Sequence, residues 1–326
     1  MGRSQTGFWC TGLSLLGLLL AALVSSSLVS SVTLGSEAER CCRGVENLEI
    51  WGKAVKGGND LKFNSSKDCC EACKAMCDGG DGDCRCDSWV FCGDRERCKE
   101  RFGECLLKKQ KDVLFPALQV SGDEVIWTSG LIFGEGEGIV SMETEYGSFR
   151  IKLFADCAPR SIAYIVELLG SSYCTGCKLH RTEGRGNSWD SEWSNVPNSP
   201  LAPPFAFIQG TLEAAGVTFN NIPPEACPLI RAGSVAWIGS GPEFFISLAN
   251  HDEWTTRAYT VFGSVLPEDM DIVEKIARLP TKPDLWNNVI ISALEKPARI
   301  WLRRISKTRQ DLDLNVDWRS DTSGGS

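Results

Sequence analysis

Histidine is scarce: His180 and His251 are the only two in 326 residues, too few and too scattered to build a metal cluster. A basic stripe is also missing. Thirty-four Lys and Arg face 42 Asp and Glu, giving a formal net charge of -8, which argues against nucleic acid as a partner. No internal repeat is present. The acidic glycine loop from Asp78 to Asp83 lacks EF-hand spacing and reads as a solvated turn. The chain ends Gly324-Gly325-Ser326, without a retention tetrapeptide. No motif calls for a cofactor.

Cysteine is what the chain has in excess. Of its 16 cysteines, eleven fall between Cys41 and Cys105, and Cys157, Cys174, Cys177 and Cys227 follow. That density belongs to an oxidising compartment, where disulfides persist. The fifteen beyond the leader are an odd number, so one is expected free or paired with another chain. The one glycosylation sequon, Asn64-Ser65-Ser66, fits the same compartment. At the N-terminus, Arg3 precedes an apolar run from Phe8 to Val24, then serine-rich sequence to Val32. This is expected to be a signal peptide or an uncleaved type II anchor, since the whole stretch reaches the roughly 20 residues that span a bilayer. Membrane contact is expected only there. The protein is placed in the secretory pathway, as a lumenal, anchored or secreted chain.

Five regions follow: a leader at 1–35, a cysteine-rich module at 36–111, a connector at 112–138, a larger domain at 139–306 and a disordered acidic tail at 307–326. The module is too small to hold itself together without staples. A helix carrying Cys70, Cys73 and Cys77 would set those thiols on one face. The connector is partly apolar, at Val113-Leu114-Phe115 and Val125-Ile126-Trp127, and is expected to pack on a domain.

In the larger domain, Val140, Met142 and Thr144, then Phe149, Ile151 and Leu153, alternate with polar residues around Glu145-Tyr146-Gly147, which reads as a hairpin. Pro159 suits the first turn of a helix whose buried stripe is Ile162, Ile165, Val166 and Leu169. A second helix spans Met270 to Leu279, with Ile272, Val273, Ile276 and Leu279 inward. Short apolar strands fall at Phe205–Gln209, Gly233–Ile238, Phe244–Ala249, Val261–Val265 and Val289–Leu294. Many short strands with two helices suggest a closed barrel capped at both ends.

The run Thr144-x-x-Gly147-x-Phe149-x-Ile151-x-Leu153-Phe154-x-x-x-Ala158-Pro159-x-Ser161 resembles the start of cyclophilins. Leu179-His180-Arg181, Ala206-Phe207-Ile208-Gln209-Gly210, Phe244-Phe245-Ile246, Trp254 and Val261-Phe262-Gly263-x-Val265 continue the pattern in order, over roughly Ile139 to Ile305. The resemblance implies a mainly β fold: a closed eight-stranded barrel capped by two helices. The preceding xCCxxC helix and Cys86-x-x-Trp89-x-Phe91 strand resemble a PAN/apple module, disulfide-rich and α+β. The family isomerises Xaa-Pro peptide bonds. By motif, Arg181 would donate to the prolyl nitrogen and Gln209 would orient the substrate. Phe207, Phe245 and Tyr259 would line the proline slot, with Trp254 at its rim and Ile238 also contacting substrate. Proline-containing polypeptides would be the clients, and the module would supply a protein or carbohydrate contact.

The chain departs from the pattern at several positions. About twenty extra residues, including Glu183-Gly184-Arg185-Gly186, Trp189, Trp193 and Pro197 to Pro204, separate Arg181 from Gln209. Ala206-Phe207 stands where the family has Phe-Met, and Trp237-Ile238-Gly239 where it has Met-Ala-Asn. Gly241-Pro242-Glu243 shortens a loop, and Tyr259 replaces a common His. Three functions stay open: an isomerase of secretory-pathway proteins, a catalytically inactive binding module of the same fold, and a thiol–disulfide exchanger at Cys174-x-x-Cys177. For that cysteine pair a structural disulfide is the expectation.

Overall fold

The computed structural model describes residues 41–305 except 78–83, 118, 171–173, 187–188, 195–204, 215–218, 226–228, 253, 255–258 and 287–288. The leader, the tail, the acidic glycine loop, Pro197 to Pro204 and Cys227 thus lie outside the described residues. No helix among the described residues is long and apolar enough to cross a membrane.

The cysteine-rich region forms β1 (Val45–Glu46), β2 (Leu48–Ile50), β3 (Lys53–Lys62), α1 (Ser66–Lys74), β4 (Ser88–Phe91), α2 (Arg95–Cys98) and β5 (Glu104–Lys109). The stretch expected as a connector adds β6 (Gln119–Ser121) and β7 (Thr128–Leu131). β7 enters a five-stranded sheet ordered β1-β7-β4-β5-β3, and β6 pairs with β2. Ser65 caps α1 by accepting from the Asp68 amide at 3.2 Å. Cys69, Cys70 and Cys73 on α1 are fully buried and bridge to Cys105, Cys42 and Cys86. Cys77 lies past the end of the helix and pairs with Cys84, so the three-thiol face expected on one helix is instead Cys69, Cys70 and Cys73. With Cys92–Cys98, Cys41–Cys157 and Cys174–Cys177, all fourteen described cysteines are paired.

The larger domain runs β8 (Ile139–Thr144), β9 (Gly147–Leu153), α3 (Pro159–Gly170), β10 (Lys178–Glu183), β11 (Phe207–Thr211), β12 (Ser234–Trp237), β13 (Glu243–Ser247) and β14 (Thr260–Val265). It ends with α4 (Met270–Ala277), β15 (Thr281–Trp286), β16 (Val289–Arg299) and β17 (Trp301–Arg304). The β8–β9 turn needs Gly147, at φ +139°, and Thr144 braces it by accepting from the Tyr146 amide at 3.1 Å.

Ten strands form one antiparallel sheet, ordered β15-β16-β10-β11-β13-β12-β14-β9-β8-β17. The expected count of eight is therefore not what the structure has. The ladder has two ends, β15 and β17, and the sheet is curled as a half-barrel. Only Ile300 separates β16, which pairs with β10, from β17, which pairs with β8. α3 and α4 both pack on the sheet's core. α3 buries Ile162, Ile165 and Leu168, with Val166 and Leu169 partly covered, so the stripe lies slightly off the expected line. Its first turn is capped from afar: buried Glu225 accepts from the amides of Arg160 at 2.8 Å and Ser161 at 3.0 Å, and from the Ser161 hydroxyl at 2.7 Å.

Candidate active site

Side chains of a strand alternate between faces, and here the alternation separates core from site. Ile208, Phe244, Ile246, Val235, Trp237 and Phe262 point into the main core. Their neighbours point the other way. In register, Arg181 pairs with Gln209, Gln209 with Phe245, Phe245 with Ala236 and Ala236 with Val261. One cross-strand row thus carries a guanidinium, an amide and an aromatic floor side by side.

The floor is a second apolar cluster, distinct from the core. It consists of Phe207, Ile230, Ala236, Phe245, Trp254 and Val261, with Phe154, Ile238 and Tyr259 partly buried against them. Ring centroids of Phe245 lie 5.9 Å from Phe207, 5.6 Å from Trp254 and 5.3 Å from Tyr259. Such offset and edge-on contacts add to the stability of area burial. Behind Trp254, the His251 ring stacks at 3.7 Å, and Trp189 meets His251 edge-on at 4.9 Å.

Arg181 leans over this floor, with its guanidinium carbon 4.8 Å from the Phe207 centroid, a cation–π distance. Its Nη1 donates to Gln209 Oε1 at 3.1 Å, its Nε to Glu183 Oε1 at 3.2 Å, and its Nη2 also to Glu183 Oε1. A guanidinium has five N–H donors, so two have no partner among the described residues and can meet a ligand. Gln209 is held at its other end, where Nε2 donates to Glu243 Oε2 at 3.0 Å. Burial pushes the Glu243 carboxyl up, against the pull of the Gln209 amide. His180 Nε2 lies 3.3 Å from the same Glu243 oxygen, without the alignment of a hydrogen bond. Burial, then the charges of Lys178 and Arg181, bring the His180 pKa down to about 4, so the imidazole is neutral near pH 7. Its outer side meets Trp286 of β15, ring centroids 5.4 Å apart.

The family model for cyclophilin type peptidyl-prolyl cis-trans isomerase/CLD matches residues 139–296. This segment is a cyclophilin-type domain. At the family level its reaction is peptidyl-prolyl isomerisation. Two curated relatives are both called peptidyl-prolyl cis-trans isomerase-like 3. The one from Rhizopus delemar is 25% identical over 153 residues, covering 42% of this chain and 82% of that protein. The one from Gallus gallus is 24% identical over 148 residues, covering 43% and 83%. A crystal structure of a Cryptosporidium parvum cyclophilin type peptidyl-prolyl cis-trans isomerase, obtained in the presence of the dipeptide Ala-Pro, aligns with a TM-score of 0.37 and 14% identity. The alignment covers 52% of this chain and 99% of that one.

In the cyclophilin-type domain, Arg181, Gln209, Phe207, Phe245, Trp254, Tyr259 and Ile238 come together at one place. Two departures from the family pattern fall elsewhere than the motif suggests. Trp237 turns into the main core and stacks on Phe262 at 4.4 Å, and Ala206 is buried there too, so neither crowds the floor. Ile238 alone of that run reaches the floor. Trp189 pins the insertion by packing into the core, and Trp193 by accepting through its carbonyl from the Asn250 amide at 2.8 Å and by lying under Arg185. Cys174 and Cys177 are bonded to each other and buried in the main core. The Asn64 side chain is exposed.

Sequence reasoning missed Glu183 and Glu243. Both stand beside motif residues, but a carboxylate two positions from an arginine is ordinary in any strand. Glu183 shares a strand face with Arg181, whereas only the pairing of β10 with β11 and of β11 with β13 brings Glu183 to the return of the chain and Glu243 to the amide.

Proposed function

We propose that the cyclophilin-type domain isomerises Xaa-Pro peptide bonds, with Arg181 as the donor. The carrying observation is the cross-strand row Arg181–Gln209–Phe245, in which Arg181 is bonded to Gln209 and leans over the neighbouring Phe207. Amide resonance sets the barrier, and an Xaa-Pro bond turns over tens to hundreds of seconds unaided. At the transition state the C–N bond is single and the prolyl nitrogen is pyramidal, with a lone pair that accepts a hydrogen bond. A donor aimed at that lone pair stabilises the transition state over either ground state. One of the two unengaged Arg181 N–H groups serves as that donor. The aromatic floor takes the ring, and Gln209 holds the peptide. No proton is transferred and no covalent intermediate forms.

The clients, in this reading, are proline-containing chains of the secretory pathway. The fourteen paired cysteines support that compartment, and the apolar leader would deliver the chain there as signal or anchor. The cysteine-rich region keeps its PAN/apple-like reading, with a protein or carbohydrate ligand. One observation favours a second reading, a catalytically inactive binder: Glu183 neutralises the guanidinium that would act. NMR exchange between cis and trans forms of short Xaa-Pro peptides separates the two. Exchange broadening on adding catalytic amounts of the intact protein is the expected result. Peptide binding without broadening would leave the binder.

A further inference from the structure

Between Arg181 and Gln209 the chain makes a long excursion, and the two must still meet at 3.1 Å. Glu183 is the last residue of β10, where the excursion leaves the sheet, and Phe205 lies just before β11, where it returns. The Glu183 carboxylate touches both. Its Oε1 accepts from Nε and Nη2 of Arg181, and its Oε2 accepts from the Phe205 amide at 3.1 Å. The Glu183 side chain is only 15% exposed, so solvent does little to weaken the pair. The Phe205 ring, placed by that amide bond, stacks on Phe207 at 5.8 Å and flanks the guanidinium at 6.0 Å.

We infer that Glu183 is a positioning residue: its two oxygens fix the Arg181 guanidinium over the proline slot and anchor both ends of the inserted segment to it. The inference rests on Arg181 as the isomerisation donor. An arginine side chain has many rotamers, and the Gln209 bond alone leaves it a hinge. Adding Glu183 on the Nε edge fixes the plane of the guanidinium and so the direction of its two unengaged N–H groups. Both carboxylate oxygens act as acceptors. Glutamine at this position offers one acceptor and an NH2 that cannot accept from the Phe205 amide, so it cannot replace both bonds. Aspartate keeps the charge but is one methylene short of spanning Arg181 and Phe205.

The test is a double-mutant cycle on the full chain with its disulfides intact. Cis–trans exchange of an Xaa-Pro peptide is measured for the native protein, Glu183→Gln, Arg181→Ala and the double variant, with the Arg181 Nε–Hε NMR signal recorded alongside. Glu183→Gln is expected to lower the saturated exchange rate about tenfold, with a smaller change in KM, as a misaimed donor does. It should have no further effect in the Arg181→Ala background, and it should shift the Arg181 signal and speed its exchange with water. Losses that multiply in the double variant would mean that Glu183 acts only on the fold, overturning the inference. If Glu183→Gln does not fold, Glu183→Asp takes its place in the cycle. If the native protein shows no exchange, the isomerase reading fails by itself. The Arg181 signal and peptide affinity then decide the role of Glu183, and both unchanged in the variant would overturn it.

Discussion

Arg181 is both an ion-pair partner and the group aimed at the slot, and these roles are compatible because a guanidinium presents two separate edges. Lysine has neither the fork nor the plane. Arg181→Lys is therefore expected to lose most of the exchange activity but, keeping the charge that faces Glu183, still to unfold cooperatively in urea. Unaltered activity in Arg181→Lys would mean that a point charge suffices. His180, its neighbour, makes a pH prediction. Its folded pKa of about 4 lies below the ordinary 6.5, so between these values the unfolded chain binds a proton that the folded chain refuses. Stability from this group is whole above pH 6.5 and falls as pH drops toward 4, by on the order of 3 kcal/mol. Urea midpoints at pH 7 and pH 5 should show the fall, and the His180 ring signal should stay that of neutral imidazole over that range. Titration near pH 6.5 would contradict the burial argument. At this scale the slot side chains were legible because motif and alternation agree on Phe207, Gln209 and Phe245. Glu183 was not, because an acid two positions from an arginine is too common to single out, and Glu243 was not, because its partner Gln209 is set by register, a property of the folded sheet.

At the scale of elements, α3 shows how a helix can depend on a distant residue. Pro159 opens it as expected, but the cap comes from Glu225. Glu225→Ala would strand two amides and a hydroxyl in a buried place and is expected to cost about 2–3 kcal/mol in urea unfolding. Glu225→Gln, which keeps one acceptor, should cost less. An equal loss in both variants would show that charge against the helix end matters more than bond count. Strand positions in the middle of the sheet were readable within a few residues. β15 was not, since all six of its residues are exposed and Pro283 sits within it, leaving no apolar alternation to read. The split of β16 from β17 at Ile300 was also invisible, because one continuous stretch serves two neighbours.

At the scale of the molecule, the cysteine-rich region and the cyclophilin-type domain are covalently joined. Cys41–Cys157 crosses between them, and beside it Lys74 pairs with Asp156 at 2.6 Å while the Arg43 amide donates to the Asp156 carbonyl at 2.8 Å. The sequence showed dense cysteines in one region and few in the other, but nothing in the spacing tied one to the other. Replacing Cys41 and Cys157 together by serine is expected to lower stability by about 2–4 kcal/mol. Peptide exchange should persist, because the pair lies outside the row that carries the site. Loss of exchange in a folded Cys41→Ser, Cys157→Ser variant would instead make the cysteine-rich region part of the active unit. The isomerase reading turns on Arg181 as the donor. It is tested most directly by cis–trans exchange of a short Xaa-Pro peptide with native protein and with Arg181→Ala, both shown to be folded. Line broadening with the native protein that Arg181→Ala abolishes is the expected result. Equal broadening from both would contradict Arg181 as the donor, and none from either would contradict the isomerase reading itself.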